Sequence, residues 1–271
     1  MLTRTITGTL FILIIVAGIY FNSTLTLLLF TLIVLLAIDE FYGLVKKSKN
    51  LKPLRFLGTV TGACLMLILG LLIQQNIESK LVMIPVVLMF LVFIVELFRK
   101  NETPFVNIAY TLLGIFYSVI PFTMLFHLGF YNNAEFTNDY SYQLILGFFI
   151  LLWTNDTGAY LSGRYFGKHK LFERISPKKT WEGSIGGGIL TISIASVLSI
   201  YFTHLTLINW IIISILIAVF ASLGDLVESM LKRSLGVKDS GKILPGHGGI
   251  LDRFDGLLLS VPFVYSYLQL I

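Results

Sequence analysis

Apolar runs of about twenty residues recur along this chain, and polar residues are confined to the stretches between them. A helix needs roughly 20 residues to cross the hydrocarbon of a bilayer. Nine runs approach that length, at about 6–21, 25–45, 57–73, 81–98, 106–126, 143–161, 184–203, 208–226 and 254–270. They are continuously apolar, whereas a membrane barrel would show short alternating segments, so helices are expected. The pattern predicts an all-α polytopic membrane protein with about nine transmembrane helices. The first run follows Met-Leu-Thr-Arg with no small-residue cleavage site, and reads as a retained span.

Composition agrees with the pattern. Of 271 residues, 56% are hydrophobic and 13% charged, against about 25% charged in soluble domains. The net charge of +5 is not a nucleic-acid signal here, because the cations are distributed by topology. Arg4, the 46–55 loop (Lys46, Lys47, Lys49, Lys52, Arg55), Arg99 with Lys100, the 162–182 loop and the 227–253 loop hold nineteen of the twenty Lys and Arg. The loops on the other side hold only Lys80. Basic residues collect in cytoplasmic loops, which predicts a cytoplasmic N-terminus and a C-terminus outside. The lone Cys64 excludes an internal disulfide and reads as a packing residue. There is no evident internal repeat. The expected division is an N-terminal transmembrane scaffold of about five helices (1–140) and a C-terminal catalytic section (141–271) with cytoplasmic loops at 162–183 and 227–255.

Candidate chemistry sits in that second section. Residues 229–255 pack Lys232, Arg233, Lys238, Lys242, Arg253, Asp239, Asp252, Asp255 and a Pro-Gly-His-Gly-Gly turn into 27 positions of a mostly hydrocarbon chain. Such residues are costly near lipid and mark function. At the end of the eighth run, Asp225, Ser229 and Lys232 share one helical stripe, with Glu228 a step aside. Gly248 and Gly249 let backbone N–H groups approach a ligand, and Asp252 and Asp255 share a face of the helix that follows. Asp156 ends the sixth run, with Arg164 after it. Lys178 and Lys179, before the seventh run, are point charges suited to phosphate or to anionic headgroups. Gly163 to Lys168 is no P-loop: three residues separate its glycines and His169 follows the lysine. Charges gathered at one face, without matched halves, argue against a transporter. Glu96 is expected either to snorkel or to pair with Arg99, and Asp39-Glu40 to form part of a cytoplasmic rim.

The run Ser229, Lys232-Arg233, Lys238-Asp239, Gly241, Leu244-Pro245, His247-Gly248-Gly249, Asp252-Arg253 and Asp255 resembles the signature of the phosphatidate cytidylyltransferases. Ser176-Pro-Lys-Lys-Thr-Trp-Glu-Gly183 and Asp156-Thr-Gly-Ala-Tyr160 with Gly163-Arg164 resemble that family too. The likeness covers about 153–256. It implies CMP transfer from CTP to phosphatidic acid, giving CDP-diacylglycerol and pyrophosphate; the basic loops put that site at the cytoplasmic face, and the short, compact chain suggests a bacterial plasma membrane. It further implies Mg²⁺, with a second cation such as K⁺, on Asp225, Asp252, Asp255 and Asp156. Lys232, Arg233, Lys238, His247 and Arg253 would be catalytic. Lys178, Lys179, Ser229, Gly248, Gly249 and Arg164 would bind substrates. Partners on this reading are the bilayer and a second copy of the chain, with no nucleic acid. A CTP-dependent polyprenol or phytol-type lipid kinase is the alternative.

Overall fold

The computed structural model describes all residues except Met1, Lys49, Asn133, Ala134, Asn138, Lys238, Asp239 and 242–247, and for 2–5, 132 and 135–136 the backbone only. Helices dominate, in two compact units: Met1–His127 with Lys232–Arg253, and Leu128–Leu231 with Phe254–Ile271. The residues from Lys232 to Arg253 thus group with the N-terminal helices.

The first unit contains α1 (Leu2–Tyr20), α2 (Ser23–Val45), α3 (Arg55–Ile73), a 3-10 turn at Ser79–Val82 running into α4 (Met83–Leu97), and α5 (Pro104–Leu128). Helix α2 is its centre. Asn22 caps it by accepting from the Leu25 N–H at 2.8 Å, and Phe30, Val34, Ile38, Phe41 and Tyr42 are buried. Glycines 58 and 114 let α3 and α5 close against the Tyr42 ring, whose hydroxyl donates to the Thr111 carbonyl at 2.5 Å. Glu96, 1% exposed, accepts from Arg99 at 2.7 Å, Asn101 at 2.9 Å and Asn107 at 2.8 Å. The expected Glu96–Arg99 pair is therefore part of a wider buried network. It ties α4 to α5, and to Lys52 through the Asn107 Oδ1 acceptor.

The second unit contains α6 (Gln143–Phe166), α7 (Trp181–Tyr201), most of α8 (Leu207–Ser234) and most of α9 (Leu251–Leu270). Among the described residues, two short antiparallel hairpins, absent from the sequence expectation, accompany them: β1 (Tyr131–Asn132) with β2 (Glu135–Phe136) ahead of α6, and β3 (Lys170–Phe172) with β4 (Ser176–Thr180) between α6 and α7. Helices α6 and α7 meet through small residues. A Cβ on Gly158 would stand 3.0 Å from the Gly187 Cα, and one on Gly183 would stand 3.2 Å from the Gly163 Cα. This is the packing that membrane helices use where lipid gives no hydrophobic drive to associate.

Among the described residues, seven helical segments are long and apolar enough to cross a membrane: α2, α3, Ser79–Leu97, α5, α6, α7 and α8. Helix α1 offers a shorter apolar stretch, Ile6–Tyr20, and α9 is not among the seven. Large side chains such as Leu13, Phe90, Phe116 and Ile189 lie more than half exposed, as lipid contact allows. The chain is a helical, polytopic membrane protein.

Candidate active site

Three carboxylates come together in the second unit. Oxygens of Asp225 and Glu228 on α8 and of Asp255 on α9 lie within 4.8 Å of one another. The cause is a close helix crossing. A Cβ on Gly224 would run into the Asp255 carbonyl and stand 3.1 Å from the Gly256 Cα. Only glycines beside each acid let the two backbones approach this closely. Glu228 is 1% exposed, so like charges gather where water screens them little, which is costly without a cation. Three hard oxygen donors at this spacing suit Mg²⁺, which is typically held by a few carboxylates together with water or phosphate.

Beside Asp225 lies a cavity of about 420 Å³ lined by Asn155, Asp156, Arg164, Lys178, Lys179 and Ser222, among others. Each wall has a local cause. Thr180 caps α7 by accepting from the Gly183 N–H at 3.2 Å, and β4 ends there, so Lys178 and Lys179 stand at the helix entrance. Glu182, in the first turn of α7, accepts from the Lys168 and His169 N–H groups at 3.1 and 3.2 Å, which fastens the start of the β3–β4 segment. Lys179 reaches Asp225 at 2.6 Å and donates to the Ser222 carbonyl at 3.2 Å. The Ser229 hydroxyl donates to Asp225 at 3.2 Å. Asn155 is 2% exposed, and its Oδ1 has no hydrogen-bond partner among the described residues, which leaves an acceptor for a ligand. A second, largely apolar cavity of about 390 Å³, lined by Ile185, Ile189, Ile215 and Val219, shares Ser184 and Ser222 with the first.

In the first unit, Asp252 is surrounded by donors. Lys232 Nζ meets its Oδ1 at 2.6 Å. Its Oδ2 accepts from the Gly249 N–H at 2.9 Å, the Ser240 N–H at 3.2 Å and the Ser240 hydroxyl at 2.7 Å. Asp252 precedes the apolar run 254–270. Burial pushes its carboxyl up, but Lys232, Gly249 and Ser240 outweigh burial and hold it down at about 2. Gly248, at φ +83°, adopts a backbone that L side chains disfavour, and a Cβ there would stand 2.7 Å from Asp252 Oδ2.

The sequence has recognisable relatives. The chain matches the cytidylyltransferase family over residues 2–271. It belongs to that family. A phosphatidate cytidylyltransferase of Staphylococcus haemolyticus is 35% identical over 274 residues, 97% of each chain. That of Staphylococcus saprophyticus is 44% identical over 167 residues, 61% of this chain and 60% of the relative. That of Staphylococcus aureus strain COL is 41% identical over 177 residues, 65% and 64% respectively.

For a cytidylyltransferase-family chain, the candidate residues fall into three groups. Asp225 and Asp255 join the acid cluster, whereas Asp156, Arg164, Lys178 and Lys179 line the cavity. Lys232, Gly248, Gly249 and Asp252 make the aspartate network, while Arg233 is exposed and donates to the Val237 carbonyl at 3.1 Å. Arg253 is exposed at the start of α9. Lys238 and His247 lie outside the described residues. Two acids stand out that the sequence reading set aside. Glu228 follows Asp225 by three, a spacing that shares a helix face. Glu40 ends an apolar run, where a carboxylate is expensive; that cost was its only signal.

Proposed function

We propose that this chain transfers CMP from CTP to phosphatidic acid, forming CDP-diacylglycerol and releasing pyrophosphate. The observation that carries the reading is the cavity with Arg164, Lys178 and Lys179 on its wall, beside three clustered carboxylates and sharing two serines with an apolar cavity. Phosphates suit the cationic part, and acyl chains suit the apolar part.

The reaction is an in-line attack. A phosphatidate oxygen forms a bond to the α-phosphorus of CTP while the bond to the bridging oxygen of the β-phosphate breaks. The acceptor is already anionic, so positioning and charge neutralisation are what the protein must supply. Mg²⁺, held by Asp225, Glu228 and Asp255, would offset the charge of the phosphates. Lys178, Lys179 and Arg164 bind substrate phosphate. Lys179 is held in place by Asp225 and the Ser222 carbonyl. Asp252 orients Lys232, which serves the nucleotide phosphates together with Arg233, Lys238, His247 and Arg253, the roles that the family likeness suggests. A second cation such as K⁺ and a homodimer belong to the same reading. So does the topology: nine spans, with α1 and α9 added to the seven, the N-terminus and active site at the cytoplasmic face, and a bacterial plasma membrane around them. The alternation of basic loops supports it.

The test is turnover by purified protein in liposomes with phosphatidate, Mg²⁺ and CTP labelled separately at the α- and γ-phosphates. The α-label should enter lipid, and the γ-label should leave as pyrophosphate. A γ-label in lipid would instead mean a CTP-dependent lipid kinase.

A further inference from the structure

Glu40, near the end of α2, is 6% exposed and reaches residues two hundred positions away. Its Oε2 accepts from the Ile250 N–H at 2.9 Å. Its Oε1 accepts from the Leu251 N–H at 3.1 Å and from the Ser240 hydroxyl. Those two N–H groups are orphan donors at the start of α9, the kind usually satisfied by a nearby cap. Here the cap comes from another helix of the same unit. Glycines 241 and 249 pack directly against the carboxylate, and any Cβ at Gly249 would overlap it.

Ser240 links this carboxylate to the aspartate network. Its hydroxyl lies within bonding distance of both Glu40 and Asp252, and one hydroxyl hydrogen serves one acceptor at a time. Its N–H serves Asp252 as well. Glu40 therefore grips both ends of the 240–251 segment, next to the residue that holds Lys232.

We infer that Glu40 is a positioning residue for the transfer reaction, clamping Ser240, Ile250 and Leu251 so that Asp252 and Lys232 keep their places. The inference rests on the functional reading above. It is specific about chemistry, because both carboxylate oxygens accept from backbone N–H groups. A glutamine has one carbonyl oxygen and one NH₂, so in either orientation its NH₂ faces a backbone donor. Glu40→Gln is thus nearly isosteric yet cannot make both contacts. Glu40→Asp keeps two acceptors on a stem shorter by one carbon.

The experiment compares wild type, Glu40→Gln and Glu40→Asp as full chains in liposomes. It measures kcat per folded molecule, KM for phosphatidate, and hydrogen exchange across the chain. Glu40→Gln is expected to lower kcat about 10–100-fold, the usual cost of losing a residue that orients a ligating or binding group. KM for phosphatidate should change less than about twofold, and exchange should accelerate in peptides covering 248–252 while those of α3 keep wild-type protection. Glu40→Asp should recover part of kcat. Wild-type kcat in folded Glu40→Gln would overturn the inference, as would exchange that accelerates equally throughout the first unit. If the wild type itself makes no CDP-diacylglycerol, the functional reading fails and exchange alone decides. Local acceleration would then keep the clamp, and its absence would remove it.

Discussion

Asp252 and the trio Asp225, Glu228 and Asp255 are both clusters around carboxylates, and they are built in opposite ways. Around Asp252 the protein supplies a lysine, two backbone N–H groups and a hydroxyl. The trio instead brings acids against acids, and Asp225 is joined by Lys179 and Ser229. A carboxylate already met by donors contributes to stability. Three acids crowded around one lysine still carry excess negative charge, which costs stability until a further cation offsets it. The chain thus separates a self-sufficient, order-giving aspartate from a cluster suited to an external ion.

The comparison breaks most sharply through Asp255→Asn. Turnover should fall at least about 10²-fold, since a metal-type electrostatic contribution is worth several kcal/mol. Thermal stability without Mg²⁺ should stay level or rise as like-charge repulsion is relieved. Mg²⁺ should raise the Tm of the wild type, and that rise should shrink in the variant. A stability loss without Mg²⁺, with an unchanged response to the ion, would put Asp255 in the same class as Asp252.

Lys232→Met should do the reverse. The Lys232 and Asp252 side chains are 11% and 14% exposed, and removing one partner of a buried pair costs about 3 kcal/mol. Denaturation in detergent should show that loss at any Mg²⁺ concentration. Lys179→Met removes a more open pair, 25% and 38% exposed, and should cost under about 1 kcal/mol while raising KM for a phosphate substrate. Equal losses for the two lysines would erase the distinction between the regions.

Gly248→Ala sharpens the same point on a smaller scale. A left-handed backbone carrying a Cβ that presses on Asp252 should cost about 1–3 kcal/mol, read as a lower midpoint of unfolding. The pH effect is confined to acid solution. Asp252 has its folded carboxyl at about 2, below the ordinary 3.8. Its contribution is therefore complete above pH 3.8 and is lost as pH falls from there through about 2. Asp252→Asn should flatten that part of the acid-unfolding curve and leave neutral pH behaviour of the remaining groups unchanged.

Much of this was legible from residue order. Continuous apolar runs define membrane helices because lipid forces backbone bonds to close locally. The Lys-Arg, His-Gly-Gly and Asp-Arg-Phe-Asp spacing points to phosphate chemistry, because cations, acids and open backbone near lipid are expensive to keep. Those inferences need only local rules. Glu228 was half legible: its i,i+3 spacing from Asp225 was visible, but its burial with Asp255 was not. Glu40 was not legible at all as a clamp. Its partners are two hundred residues away, and sequence spacing carries no information about which distant backbone donors lack acceptors. Likewise, nothing in residue order distinguishes Gly224 and Gly256; only the crossing of α8 and α9 shows why both must lack a Cβ. The sequence by itself determined the solvent, the helices and the stock of reactive groups. The tertiary structure alone decided which acid is ringed by donors and which acids are also pressed against one another, because that depends on helix crossings and caps between segments far apart in the chain.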